Sequence, residues 1–171
     1  MERKTDRYTS HDIQNKILKL MSISVIWQLA NDIRSGQCNL FSMIADENTD
    51  ISNLEQLTIC FRWIDKHLDS HEDFVGFYHI PNTVASTIEN VFKDVLIRLQ
   101  LSLNKCRGLC YDGASNMLGK RSGVATRIKE IIPKAYATHC HCHSLSLSLK
   151  DATKGSKILT DAMEITKGLF N

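Results

Sequence analysis

The chain has 171 residues, of which 43% are hydrophobic and 23% charged, with a formal net charge of +2 and a pI near 8.2. That length suits one domain with its own apolar core, and so small a charge neither indicates nor excludes nucleic-acid binding. The sequence has no apolar run of 18 residues and no signal-peptide core, so it predicts neither a membrane span nor secretion. We therefore expect a nuclear or cytoplasmic protein with its six cysteines reduced.

The first segment, residues 1–37, is predicted to be helical and to precede the main fold. Apolar residues recur at mostly helical spacing between residues 11 and 34, at Ile13, Ile17, Leu20, Trp27 and Ile33. Ser35 and Gly36 end this pattern.

Three strands are predicted next, over residues 40–46, 56–65 and 73–80. In the second strand, apolar side chains alternate at Leu57, Ile59, Phe61 and Trp63. Short polar connections join the three strands, which favours an antiparallel meander.

Helices and strands then alternate. Residues 84–99 have a helical apolar period, and the strand predicted over 105–111 can pair in parallel after this crossover. A helix opening at Ser115 leads to a short fifth strand over 135–140, and a last helical stripe covers residues 156–169.

Two acidic motifs lie at the ends of predicted strands. They are Asp46-Glu47-Asn48-Thr49-Asp50 and Tyr111-Asp112-Gly113-Ala114-Ser115-Asn116-Met117. Carboxylates that meet from separate strand ends can bind one divalent metal ion, although an aspartate at a strand end is more often a turn former. The residues alone leave open which of Asp46, Glu47 and Asp50 faces such a metal.

A third motif, His139-Cys140-His141-Cys142-His143, allows three interpretations. It could be a short sequence signature that is typical of one protein family, an ordinary strand of the core, or part of a zinc site. Alternate residues of a strand share a face, so all five side chains cannot bind one ion, and structural zinc normally takes four placed ligands. We favour the family signature.

Together, in this order, the three motifs resemble the catalytic core of hAT-type DNA transposases, the hobo and Activator superfamily, including the domesticated proteins of the MYM-type zinc-finger and kinase-inhibitor-repressor kinds. The resemblance implies an α/β ribonuclease-H-like domain over residues 38–171, with a mixed five-stranded sheet of order 3-2-1-4-5. It also implies a helix over residues 144–149, where Ser and Leu alternate as in a strand.

The resemblance implies that Asp46 and Asp112 occupy the positions of two catalytic metal ligands in hAT transposases. The implied cofactor is weakly bound Mg²⁺ or Mn²⁺, and we do not expect zinc. Asp50 and Asn116 would support these two acids. Cys140 and His143 match a Cys-x-x-His signature and would serve packing near the site.

The resemblance also implies limits. In that family a helical insertion and a third catalytic acid follow, and this sequence contains neither. We therefore expect a truncated or domesticated domain that is inactive alone. The alternative is a non-catalytic interaction module of the transcriptional-regulator type. The partners implied are DNA, another protein or a second copy of the chain. We do not expect the chain to bind a membrane.

Overall fold

The computed structural model describes residues 8, 10–36, 39–112 and 123–169. The strands are β1 (Phe41–Thr49), β2 (Glu55–Ile64), β3 (Ser70–His79), β4 (Cys106–Tyr111) and β5 (Tyr136–His139). The helices are α1 (His11–Ser35), α2 (Ala85–Arg98), α3 (Val124–Ile131), α4 (His141–Thr153) and α5 (Lys157–Leu169), and a 3₁₀ turn covers Leu103–Lys105. None of the helices in these residues is long and apolar enough to cross a membrane.

The five strands form one mixed sheet of order β3-β2-β1-β4-β5. β1 pairs antiparallel with β2, and β2 pairs antiparallel with β3, whereas β4 runs parallel to both β1 and β5. The short polar loops and the helical crossovers account for these directions. The predicted fold class and strand order are confirmed.

One face of the sheet packs against helices to form the core. Along β1 and β2 every second side chain is buried, at Phe41, Met43, Ala45, Leu57, Ile59, Phe61 and Trp63. Apolar residues of α2 and α3, among them Phe92 and Ile128, join them in a single cluster. The other sheet face is less covered, and Phe74 and Phe77 form an exposed ring pair there, with centroids 4.9 Å apart.

Helix α1 enters this core only with its last turns. Leu29, Ala30 and Ile33 are buried in the same cluster, while all residues from 11 to 25 are exposed. The guanidinium of Arg34 donates from Nη1 to the carbonyl of Leu99 at 2.6 Å, which ties α1 to the end of α2. The predicted boundary between a helical segment 1–37 and a domain 38–171 stays a prediction.

Two differences from the predicted elements affect the site. β1 continues to Thr49 because residues 46–49 pair with the start of β2, so the first acidic motif lies mostly inside a strand. In addition, β5 ends at His139, and His141–His143 form the first turn of α4 rather than a strand. The helix expected over residues 144–149 is confirmed, while the predicted helix start at Ser115 lies outside the described residues.

Candidate functional site

The strand register brings Asp46 and Asp112 to the same end of the sheet. In the parallel ladder Ile44 is opposite Cys110. Asp46 lies two residues further along β1, and Asp112 directly follows the last residue of β4. The two aspartates therefore lie at the same end of adjacent strands.

The surroundings of Asp46 change its pKa. Partial burial and then repulsion from Asp112 raise the pKa of Asp46, while the charge of His143 acts in the opposite direction. Repulsion of this kind disfavours two simultaneous negative charges, so it favours an added cation or a proton.

The start of α4 completes this end of the sheet. The amide of Cys140 donates to the carbonyl of Tyr111 at 2.7 Å, which fixes the helix start beside the end of β4. His143 lies in the first turn of α4, and its charge reaches Asp46. Because helix N-termini carry partial positive charge, the position of α4 also suits neighbouring carboxylates.

Two competing acids of the first motif are placed elsewhere. Glu47 alternates with Asp46 along β1 and so projects from the opposite face of the sheet. Asp50 holds the β1–β2 turn: Oδ1 accepts hydrogen bonds from the amides of Ser52 and Leu54 at 2.8 and 3.0 Å, and Oδ2 accepts one from Gln56 Nε2 at 2.7 Å. The hydrogen bond from Leu54, with those from Ser52 and Gln56, lowers the pKa of Asp50.

The cysteines near the site are free thiols. Cys110 and Cys140 are half-buried neighbours, and burial raises the pKa of Cys110 while a hydrogen bond with Thr138 lowers it. Cys142 is exposed on α4. Within the described residues, no group of three or more His, Cys, Asp or Glu side chains is arranged to hold a metal ion.

Asp46 and Asp112 are the two residues at this end of the sheet that could hold a divalent cation. Hard cations take carboxylate oxygens, and Mg²⁺ commonly keeps several waters when a protein offers only one or two carboxylates. Asn116, predicted to support Asp112, lies outside the described residues. The segment 113–122 contains no carboxylate in its sequence, so it cannot supply a third acid.

The electrostatic contact between His143 and Asp46 was missed by sequence reasoning. We expected His143 to serve packing and local hydrogen bonds. The available signal was its place three residues after Cys140, at the start of a helix that follows the strand next to β4. Such a helix begins at the sheet end where both aspartates lie.

A comparison with known families shows where this chain belongs. Residues 1–123 match DUF4371, described as the ZMYM1/FAM200, RNase-like domain. The chain belongs to this family. The part that matches DUF4371 includes Asp46 and Asp112 and ends before the Cys140 to His143 signature. The family resemblance predicted from the motifs is thereby confirmed.

Two relatives of this DUF4371 chain have the same name. The 52 kDa repressor of the inhibitor of the protein kinase from Homo sapiens is 28% identical over 135 residues, covering 78% of this chain and 17% of that protein. The protein of that name from Mus musculus is 26% identical over 133 residues, with the same shares. The chain thus corresponds to a small part of each relative.

Proposed function

We propose that this DUF4371 chain is a domesticated transposase-like domain that keeps a weak divalent-cation site at Asp46 and Asp112 and does not cleave DNA by itself. The observation that carries the proposal is the parallel pairing of β1 and β4, because each of the two acids lies two residues beyond the pair Ile44 and Cys110. The pKa of Asp46 also supports it, because partial burial and then repulsion from Asp112 raise this pKa.

The residues at the site have separate roles in this proposal. Asp46 and Asp112 would hold the cation, and His143, in the first turn of α4, would lie at the rim, where a phosphate oxygen could approach. A bound Mg²⁺ or Mn²⁺ would supply charge neutralisation for such a phosphate. Asp50 would act indirectly, by holding the turn that follows β1.

Cleavage is a different matter, because in-line phosphoryl displacement needs both the attacking and the leaving oxygen held against metal ions. Two carboxylates do not fix a second ion. A net charge of +2 also provides little general attraction for DNA phosphates. Binding without cleavage is therefore the function that these residues support best.

The second candidate is an interaction module that regulates transcription and has no metal-dependent role. Its support is the word repressor in the name of both relatives, together with the exposed apolar residues of α4 and α5, such as Leu145 and Ile158. Under either candidate we propose a nuclear location.

Titration calorimetry with Mn²⁺ tests the cation site. The unmodified chain should bind weakly, and Asp46→Asn and Asp112→Asn should each abolish the binding heat. Asp12→Asn, which removes an exposed carboxylate at the far end of α1, is the matched control and should bind as the unmodified chain does. Equal binding in all four proteins would exclude the site.

A nicking assay with supercoiled plasmid and Mn²⁺ tests the absence of cleavage. We expect no nicked product above the level seen with the double variant Asp46→Asn/Asp112→Asn. Nicking that is lost in both single variants would show that the chain is catalytic by itself. That result would refute the proposed absence of DNA cleavage but not the proposed cation site. If neither metal binding nor nicking is found, the interaction module becomes the better account.

A further inference from the structure

Two thiols that the cation site does not use meet beside it. Cys110 in β4 lies opposite Thr138 in β5, and Cys140 lies two residues beyond Thr138, so the parallel ladder brings both cysteines to the same end of the sheet. The side chains of Cys110 and Cys140 share a hydrogen bond. The two cysteines belong to different sequence motifs, and the pairing of β4 with β5 is what joins them.

The backbone holds Cys140 in place beside β4. Its amide donates to the carbonyl of Tyr111 at 2.7 Å, and its carbonyl accepts a hydrogen bond from the amide of Ser144 at 3.1 Å. The first bond fixes Cys140 next to the residue that follows Cys110, and the second joins it to the first turn of α4. The position of the Cys140 thiol is therefore set by β4 and α4 together.

Two other cysteines of the sheet are placed differently. Cys106 is buried in the core cluster, although it belongs to the same strand as Cys110. Cys60 lies opposite Ile44, which in turn lies opposite Cys110, so two strand spacings, or roughly 10 Å, separate Cys60 from Cys110. A disulfide takes Cα atoms about 4.4–6.8 Å apart. Cys60 therefore cannot replace Cys140 as the partner of Cys110.

The thiol pair can be reached from solvent. Cys110 and Cys140 are only partly buried, and Thr138, His139 and His141 beside them are exposed. A small oxidant such as hydrogen peroxide can therefore contact the two sulfur atoms. Disulfides that form inside cells are usually transient and redox-sensing, and exposed ones are more easily reduced than buried structural ones.

We propose that Cys110 and Cys140 form a reversible disulfide when the chain meets a peroxide, so that this pair is an oxidation site next to Asp112. One thiol sulfur attacks hydrogen peroxide, the O–O bond breaks, and a sulfenic acid and one water result. The other thiol attacks the sulfenic sulfur, the S–S bond forms and a second water leaves. The two thiols lose two electrons and two protons in total, and the peroxide takes up both. A dithiol reduces the bond again by exchange.

The disulfide changes the geometry at this end of the sheet. It draws the two sulfur atoms to about 2.05 Å, which is closer than two hydrogen-bonded thiols lie. Its formation therefore pulls the first turn of α4, which contains His143, towards β4. The bond itself forms without a cation, so this inference does not depend on metal binding at Asp46 and Asp112.

Peptide mass spectrometry of the oxidised chain tests the disulfide. The unmodified chain is treated with hydrogen peroxide in the presence of EDTA, the remaining thiols are alkylated, and trypsin releases Cys110 in peptide 108–120 and Cys140 in peptide 135–150. We expect these two peptides to be linked within monomers and to separate after treatment with dithiothreitol. Peptide 135–150 also contains Cys142, so fragment spectra identify the linked sulfur.

Matched variants identify the two partners independently. Cys110→Ser and Cys140→Ser should each abolish the linked peptides. Cys142→Ser, which removes an exposed thiol from the same tryptic peptide as Cys140, is the control and should form the link as the unmodified chain does. A link that persists in Cys140→Ser and is lost in Cys142→Ser would overturn the proposal.

Two results with the unmodified chain would also overturn it. One is oxidation that gives sulfinic acid at Cys110 or Cys140 and no linked peptides, and the other is a link found only between two chains. The spectrum of the unmodified chain is decisive by itself, so a variant that fails to fold does not prevent the test.

Discussion

Gly108 sets the spacing between the two strands that carry Asp46 and Asp112. It lies opposite Ser42 in the parallel β1–β4 ladder. A Cβ atom added at Gly108 would clash with Ser42 Oγ and would lie 2.9 Å from Ser42 Cβ. Rotation of the serine hydroxyl can relieve the first contact, but the second involves an atom fixed to the β1 backbone. Gly108→Ala should therefore push β1 and β4 apart locally.

The cost follows from the distance. Carbon atoms pack at about 3.5–4.0 Å, so Gly108→Ala needs a displacement of at least roughly 0.6 Å in a paired strand. Added methyl groups in well-packed interiors typically cost about 1–3 kcal/mol of unfolding free energy. For a chain of this size, each kcal/mol lowers the melting temperature by about 2–4 °C.

Urea unfolding followed by circular dichroism measures this cost. Gly155→Ala is the control, since nothing lies within 4 Å of a Cβ atom there, and it should change stability by less than about 0.5 kcal/mol. The double variant Ser42→Gly/Gly108→Ala should recover most of the loss beyond the cost of Ser42→Gly alone, because the clashing atoms are gone. If Gly108→Ala is as stable as Gly155→Ala, or if the double variant recovers no stability, the close approach of Gly108 to Ser42 does not limit the spacing of β1 and β4.

Three further predictions concern the acids and the cysteine motif. Asp112→Asn should lower the pKa of Asp46, which NMR titration measures. Because folding raises this pKa, the ionised Asp46 carboxylate destabilises the folded chain at pH values above it, and the variant should be as stable as the unmodified chain or more stable at neutral pH. The difference in stability between the two proteins should disappear well below pH 3.8, where the carboxyl is protonated in both the folded and the unfolded state. An unchanged pKa of Asp46 would contradict this. Asp50 has a lowered pKa, so Asp50→Asn should reduce the stability measured by urea unfolding at neutral pH. This loss of stability should become smaller at acid pH, where the Asp50 carboxylate of the unmodified chain is protonated. A loss that does not change with pH would contradict this prediction. Chain purified without chelator should contain well under one zinc per molecule by plasma mass spectrometry, because two or three placed ligands do not hold structural zinc; stoichiometric zinc that Cys140→Ser removes would establish the zinc site instead.

Local pattern was sufficient for most of the fold. The alternation of Leu57, Ile59, Phe61 and Trp63 correctly marked a half-buried strand, since a period of two exposes every second side chain to one face. The short loops and helical crossovers also determined the strand directions. The sequence motifs, including those that contain Asp46 and Asp112, predicted the family without any information about which residues are in contact.

Local pattern failed where long-range pairing decides the outcome. The extension of β1 to Thr49 depends on partners in β2, and the helical state of His141–His143 depends on the place where β5 ends against β4. Alternating Ser and Leu in α4 gave no unique period, so only the family resemblance favoured the helix that is present.

The sequence by itself determined which residues could carry the chemistry and the directions of the strands that hold them, because residue type, local period and loop length are properties of short segments. The strand order followed from the family resemblance. Only the tertiary structure decided which acids meet. Strand register brings Asp46 and Asp112 to the same end of adjacent strands, and the start of α4 beside β4 brings the charge of His143 within reach of Asp46. Asp50 instead accepts hydrogen bonds within its own turn. A groove of about 860 Å³ beside Trp63 likewise exists only once α1 lies against the β2–β3 hairpin, since its lining residues come from two distant parts of the chain.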